Sequence, residues 1–116
     1  MNETLNFKVS GNTYVIKFPT VGDYYAIEAS KQSLSVGYYN SLTQGTTRSA
    51  SNAADMIDIE ATLTILCPEV ISKLECDSFK KLGLKDYLEI KKAFVEQITP
   101  WWKEIEELLN PTKKDE

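Results

Sequence analysis

Histidine does not occur anywhere in the 116 residues. That one absence removes Ser-His-Asp and Cys-His nucleophile arrangements and nearly all zinc sites, because each depends on an imidazole as base or ligand. Arginine is almost missing too: Arg48 stands alone, and 13 Lys plus Arg face 17 Asp plus Glu, for a net charge of −4. Phosphate recognition draws on clustered Arg and Lys, so nucleic acid is not the expected ligand. The five glycines, Gly11, Gly22, Gly37, Gly45 and Gly83, are scattered and form no phosphate-cradling loop. Cys67 and Cys76 are the only cysteines, and Cys67 lies in an apolar run where it reads as a small buried hydrophobe. No stretch approaches the ~18 apolar residues of a membrane span. Met1 to Val9 carries Asn, Glu and Lys and then alternates, unlike the apolar core of a signal peptide. The expectation is a reduced, intracellular, non-catalytic protein with no cofactor and no metal, whose work is to bind another protein.

What is present suits one domain. A chain of this length buries roughly two thirds of its unfolded surface, enough for a core without staples. Leu5, Phe7 and Val9 alternate with polar residues, as do Tyr14, Ile16 and Phe18, which predicts a β-hairpin over 4–18. A Gly11-Asn12 turn pairs Val9 with Tyr14, Phe7 with Ile16 and Leu5 with Phe18, placing all six side chains on one face that packs on the central helix. Two strands are marginal alone, so that face must be covered by helices. The fold class expected is α+β, mainly α, with the hairpin on four to five helices over 20–109, a single domain over 1–110 and a charged tail over 111–116.

The helical body is read from spacing and punctuation. Pro19 ends the second strand, and Thr20 with Asp23 marks a helix start, running to about Gln32 with Tyr24, Ile27 and Leu34 inward. Tyr38 to Leu42 predicts a helical turn, and the Thr/Ser/Gly-rich segment Thr43 to Ser51 an exposed, mobile loop. Ser51 or Asn52 caps the central helix, where Met56, Ile59, Leu63 and Leu66 recur until Pro68. A short helix over 69–74 and a polar break at Glu75 to Asp77 follow, then Phe79 and Leu82. From Lys85 the pattern of Tyr87, Leu88, Lys91, Phe94, Val95 and Ile98 marks another helix. Thr99-Pro100 either kinks it or starts a new helix with Thr99 as cap. Trp101, Trp102, Ile105, Leu108 and Leu109 then carry an apolar face to Asn110-Pro111.

Candidate site residues are aromatic and apolar. Tyr24-Tyr25, Tyr38-Tyr39 and Trp101-Trp102 are adjacent pairs, and neighbours on a helix point about 100° apart, so one of each pair enters the core while the other reaches the surface. Tyr25, Tyr38, Trp101, Trp102, Ile105 and Leu109 are the protein-binding candidates, since Trp and Tyr are over-represented among binding hot spots. The plainer reading is amphipathic residues at a core boundary. Asp55, Asp58 and Glu60 read as a solvated helix face rather than a carboxylate site, and Lys103, Glu104, Glu106 and Glu107 likewise.

The order of these features resembles the tail assembly chaperones of long-tailed bacteriophages, small proteins encoded just before the tape measure. The likeness rests on the strand pair ending Tyr14-Val15-Ile16-Lys17-Phe18-Pro19-Thr20-Val21, on Ile27-Glu28, on Leu34-Ser35-Val36-Gly37-Tyr38-Tyr39, on the central helix running into Leu66-Cys67-Pro68, and on Ile98-Thr99-Pro100-Trp101-Trp102. It covers roughly Leu5 to Leu109. The resemblance implies no enzymatic activity and binding to the aggregation-prone tape measure protein in the host cell cytoplasm; the amphipathic last helix leaves self-association as a further option. The resemblance also implies a longer form made by frameshifting, with which Lys113-Lys114 is compatible. The alternatives are a structural virion component, such as a tail or head-tail joining protein, and a small acidic inhibitor of a host protein, for which −4 is a thin field.

Overall fold

The computed structural model describes residues 3–74 and 79–111. Strands β1 (Thr4–Val9) and β2 (Asn12–Lys17) form an antiparallel hairpin. Among the described residues six α-helices follow: α1 (Val21–Leu34), α2 (Tyr39–Gln44), α3 (Arg48–Leu66), α4 (Pro68–Ser72), α5 (Leu84–Ala93) and α6 (Thr99–Leu109). A 3₁₀ turn at Phe79–Lys81 precedes α5, and a π turn at Phe94–Ile98 joins α5 to α6. The class is α+β and mainly α. The polar break expected at Glu75 to Asp77 and the tail beyond Pro111 lie outside the described residues.

The hairpin register differs from the expected one by two residues. Ser10 and Gly11 form the turn, with φ of 52° and 80°, the two positive values a type I′ turn requires. Val9 therefore faces Asn12, Phe7 faces Tyr14 and Leu5 faces Ile16. A slip of two keeps every side chain on its face, because the strand period is two, so face matching alone could not tell the registers apart. Phe7, Val9 and Ile16 are buried, Leu5 and Tyr14 half-buried, but Phe18 lies past the paired stretch and is exposed, correcting its assignment to the core.

The core joins both strands to four helices, α3 to α6. Phe7, Val9 and Ile16 pack with Ile59, Leu63 and Cys67 of the α3 end and with Tyr87, Ile90, Ile98, Trp101 and Ile105 of the α5–α6 arm. β1 runs closest to α5 and the π turn, while α1 packs along α3. Hydrophobic burial at roughly 25 cal/mol per Å² makes this cluster the main source of stability.

Local chemistry sets the helix ends. Thr20 and Asp23 form a reciprocal capping box, each side chain accepting the other's backbone N–H at 3.0 Å. α1 ends in a Schellman pattern, with Gly37 N–H donating to Gln32 O and Val36 N–H to Ser33 O. Val36 occupies the left-handed position of that cap, at φ 54°, where a β-branched side chain is strained. The central helix begins earlier than expected. Thr47, not Ser51 or Asn52, is the cap, accepting from Ala50 N–H at 3.1 Å. Only 45–47 remains between α2 and α3, because the first turns of α3 project into solvent and need no apolar stripe to be helical. Gly45 makes that tight link possible: a Cβ there would meet the Ala50 methyl at 2.9 Å. A new helix starts at Thr99, as one of the two expectations had it, but Thr99 is its first residue and not its cap. Thr99 N–H donates to Phe94 O in the wide π pattern, Thr99 makes no side-chain cap, and the missing Pro100 donor falls in the first turn of α6.

Candidate functional site

The aromatic pairs divide between inside and outside. Trp101 is 5% exposed and belongs to the core, where Phe18 meets it edge-on with centroids 6.2 Å apart at 87°. Trp102 is half-buried and stacks on Tyr24, with centroids 5.8 Å apart and planes 12° from parallel. The Tyr24 hydroxyl donates to Glu106 Oε2 at 2.7 Å, tying the start of α1 to the end half of α6. That hydrogen bond, with burial behind it, pushes the Tyr24 pKa up to about 12. Tyr25, one residue on, points away and is 72% exposed.

These placements create a groove of about 540 Å³ between the first turn of α1 and the last turns of α6. Phe18 and Pro19, just before α1, are among its lining residues. Val21 and Tyr25, at i and i+4 on one helix face, line it together with Tyr24 from α1 and with Ile105 and Leu109 from α6. Phe18, Val21, Tyr25 and Leu109 are all exposed apolar or aromatic side chains.

Of the sequence candidates, the structure brings Tyr25, Ile105 and Leu109 to this groove. Ile105 is buried and lines the groove with little exposed surface. Trp101, also a binding candidate, is instead buried in the core and does not line the groove. Tyr38 is exposed in the link between α1 and α2 and does not line the groove. Phe18, Pro19 and Val21 were missed, Phe18 because a longer hairpin would have buried it. The i, i+4 pair Val21-Tyr25 beside a capping box was the signal available.

A second hollow, of about 420 Å³, opens on the far side of the Tyr24–Trp102 stack and includes Lys31, Asp58, Thr62, Phe94 and Lys103. Its polar groups are engaged with one another. Lys31 Nζ lies 2.8 Å from Glu28 Oε2, 3.5 Å from Asp58 Oδ1 and 5.4 Å over the Tyr39 ring. The Tyr39 hydroxyl donates to Asp58, and burial with that hydrogen bond raises the Tyr39 pKa. The carboxylates of α3 diverge: Asp58 takes Tyr39, while buried Glu60 accepts the Phe79 N–H at 3.1 Å. Among the described residues no three His, Cys, Asp or Glu side chains are placed to hold a metal ion, and no helix is long and apolar enough to cross a membrane. Cys67 is fully buried, and burial pushes its thiol up to about 11, away from reactivity at neutral pH. Comparison with protein-family models, with curated proteins and with solved structures finds no match to this chain.

Proposed function

We propose that this chain is a non-catalytic, protein-binding chaperone of the kind that serves phage tail assembly, and that it holds apolar segments of a tape measure protein in the groove between α1 and α6. The observation that carries the reading is the groove itself, where Phe18, Val21, Tyr25 and Leu109 present contiguous apolar surface to solvent. The resemblance of the strand pair, the Leu66-Cys67-Pro68 junction and the Thr99-Pro100-Trp101-Trp102 segment to that family supports it. The energetics suit a transient holder. Covering a large apolar side chain is worth about 1.5–3 kcal/mol, and association costs roughly 4–15 kcal/mol, so four such side chains hold a partner weakly enough for it to be released into a growing tail. The site of action is the host cell cytoplasm, where tails are assembled.

The test is co-expression with a tape measure fragment, comparing the native chain with Tyr25→Ser and Leu109→Glu. Both positions are exposed, so both variants fold. The native chain keeps the fragment soluble and the variants release it to the pellet. Equal solubility with all three chains refutes the groove as the holding surface. Presence of the chain in purified virions, at a fixed ratio to the tail tube, refutes the chaperone reading in favour of a structural component.

A further inference from the structure

The two edges of the hairpin are finished differently. Closed and open pairs alternate along an antiparallel ladder, and the bond from Phe18 N–H to Glu3 O at 2.8 Å fixes which pairs are closed. Counted from it, Ile16, Tyr14 and Asn12 turn their backbone groups toward β1, while Thr13, Val15 and Lys17 turn theirs outward. On the β1 edge the outward groups of Lys8 are taken by the Gln97 amide, and α5 and the π turn lie alongside. On the β2 edge, among the described residues, no hydrogen bond meets the N–H or C=O of Thr13, Val15 or Lys17. The register is continuous and β2 contains no proline, so neither a bulge nor a missing donor interrupts the row.

A hollow of about 260 Å³ runs beside this edge. Val15 and Lys17 belong to the face turned away from the core, whereas Leu66, Pro68 and Glu69 lie under the other face at the α3–α4 junction, so a space lined by both sets wraps round the strand. Asp23, in the first turn of α1, lines it too. Its charges, Lys17 against Asp23 and Glu69, sum to −1.

We infer that the β2 edge is a docking site for an extended segment of a partner protein, which adds a third strand to the hairpin. Three N–H and three C=O groups at two-residue spacing are complementary to another extended backbone; a helix, whose own groups are bonded internally, would leave all six unmet. Size points the same way. One helical turn, about 10 Å across and 5.4 Å tall, takes up on the order of 400 Å³, more than the hollow holds, whereas alternate side chains of a strand enter it singly. They rest on Leu66 and Pro68, and the net negative lining favours apolar or basic side chains over acidic ones. A second copy of the chain is the poorer occupant, because docking edge to edge would bring its own Pro68 and Glu69 onto space that these residues already border. No residue of this edge lines the groove between α1 and α6, so the two surfaces stand or fall separately.

The experiment adds a short synthetic peptide, Val alternating with Thr and ending in Lys, to the full chain and follows amide hydrogen exchange residue by residue. Exchange at Thr13, Val15 and Lys17 slows by about tenfold or more, while Tyr14 and Ile16, already bonded to β1, change little. Exchanging the central Val of the peptide for Lys preserves this protection, and exchanging it for Glu weakens it severalfold. The same peptide N-methylated at all its amides, and so without donors, gives none. Val15→Pro, whose lost N–H points away from β1, keeps the native circular dichroism and abolishes the protection of Thr13 and Lys17. The N-methylated comparison uses the native chain, so it decides even where Val15→Pro does not fold. No protection at the three amides, equal protection by the N-methylated peptide, or equal protection by the Lys and Glu versions overturns the proposal. A dimeric mass in sedimentation, with the three amides already protected in the chain alone, overturns it in favour of a second copy.

Discussion

Gln97 does the work of a third strand, and replacing it should loosen the hairpin from the helical body. In the observed register the Val9–Asn12 pair closes the turn, so hydrogen-bonded pairs alternate from there and Lys8 falls at a position whose N–H and C=O point outward. The side-chain amide of Gln97, in the π turn, meets both groups. Lys8 N–H donates to Gln97 Oε1 at 2.7 Å, and Gln97 Nε2 donates to Lys8 O at 2.7 Å. Each such bond contributes about 0.5–1.5 kcal/mol net. Lys8 is exposed, so water replaces part of the loss in Gln97→Ala, and the expected cost is about 1–2 kcal/mol, or roughly 4–8 °C of thermal midpoint at this chain length. Gln97→Glu keeps the acceptor but sets a carboxylate oxygen against Lys8 O, so it should be no more stable than the alanine variant. Urea denaturation followed by circular dichroism measures the stability, and hydrogen exchange at the Lys8 amide localises it. A Gln97→Ala protein within about 0.5 kcal/mol of the native one, the range of ordinary surface changes, with Lys8 protection intact, would refute the reasoning.

Phe7→Ala and Leu63→Ala each remove a side chain with no exposed surface and should cost on the order of 2–5 kcal/mol in denaturant titration. Val36→Gly should stabilise by up to about 1 kcal/mol, since relief of the left-handed strain exceeds the added freedom of glycine in the unfolded chain; a lower thermal midpoint would contradict this. Burial and the nearby carboxylates Asp55 and Asp58 push the Tyr87 pKa up to about 12, and Tyr24 is pushed to about 12 by Glu106, so the fold favours the neutral phenols. Their contribution is complete below the unfolded value near pH 10 and is lost as pH rises toward 12, giving an alkaline fall in stability. Among the described residues the buried Tyr87 hydroxyl has no hydrogen-bond partner, so Tyr87→Phe should be at least as stable at neutral pH and should show a smaller alkaline fall in a pH series of melts.

The strands and the longer helices were legible because each carries a period or a punctuation mark that works locally. Alternation gave the hairpin its buried face, Thr20 with Asp23 gave the start of α1, and Pro68 gave the end of α3. What was not legible depends on backbone choices that several residues satisfy equally. Gly11-Asn12 and Ser10-Gly11 are both acceptable turns, and only the bonding of the whole ladder decides between them. The early turns of α3 escaped because an exposed helix turn rich in Ser and Asn has no apolar rhythm; its cap, Thr47, was hidden in a segment that looked like a loop. The π turn has no sequence signature at all beyond the proline that follows it, yet it places Gln97 against β1.

The site was half legible for a related reason. Adjacency guarantees that Trp101 and Trp102, or Tyr24 and Tyr25, face different ways, but it does not say which member turns inward. That choice is made at long range. Phe18 meets Trp101 from just past the end of β2, and Tyr24 stacks on Trp102 while its hydroxyl donates to Glu106, so α1 and α6 are tied together at this point. With Tyr24 committed to that tie, Tyr25 has only solvent to face, and Val21 one turn earlier must share its side. The exposed groove is thus a consequence of the buried contacts beneath it. Weakening the tie, rather than the groove's own residues, should widen it: in Tyr24→Phe the stack survives but the bond to Glu106 is lost, and partner affinity should fall with little loss of stability at neutral pH. If affinity for a tape measure fragment is unchanged in that variant while Tyr25→Ser abolishes it, the groove's walls matter and the spacing between α1 and α6 does not.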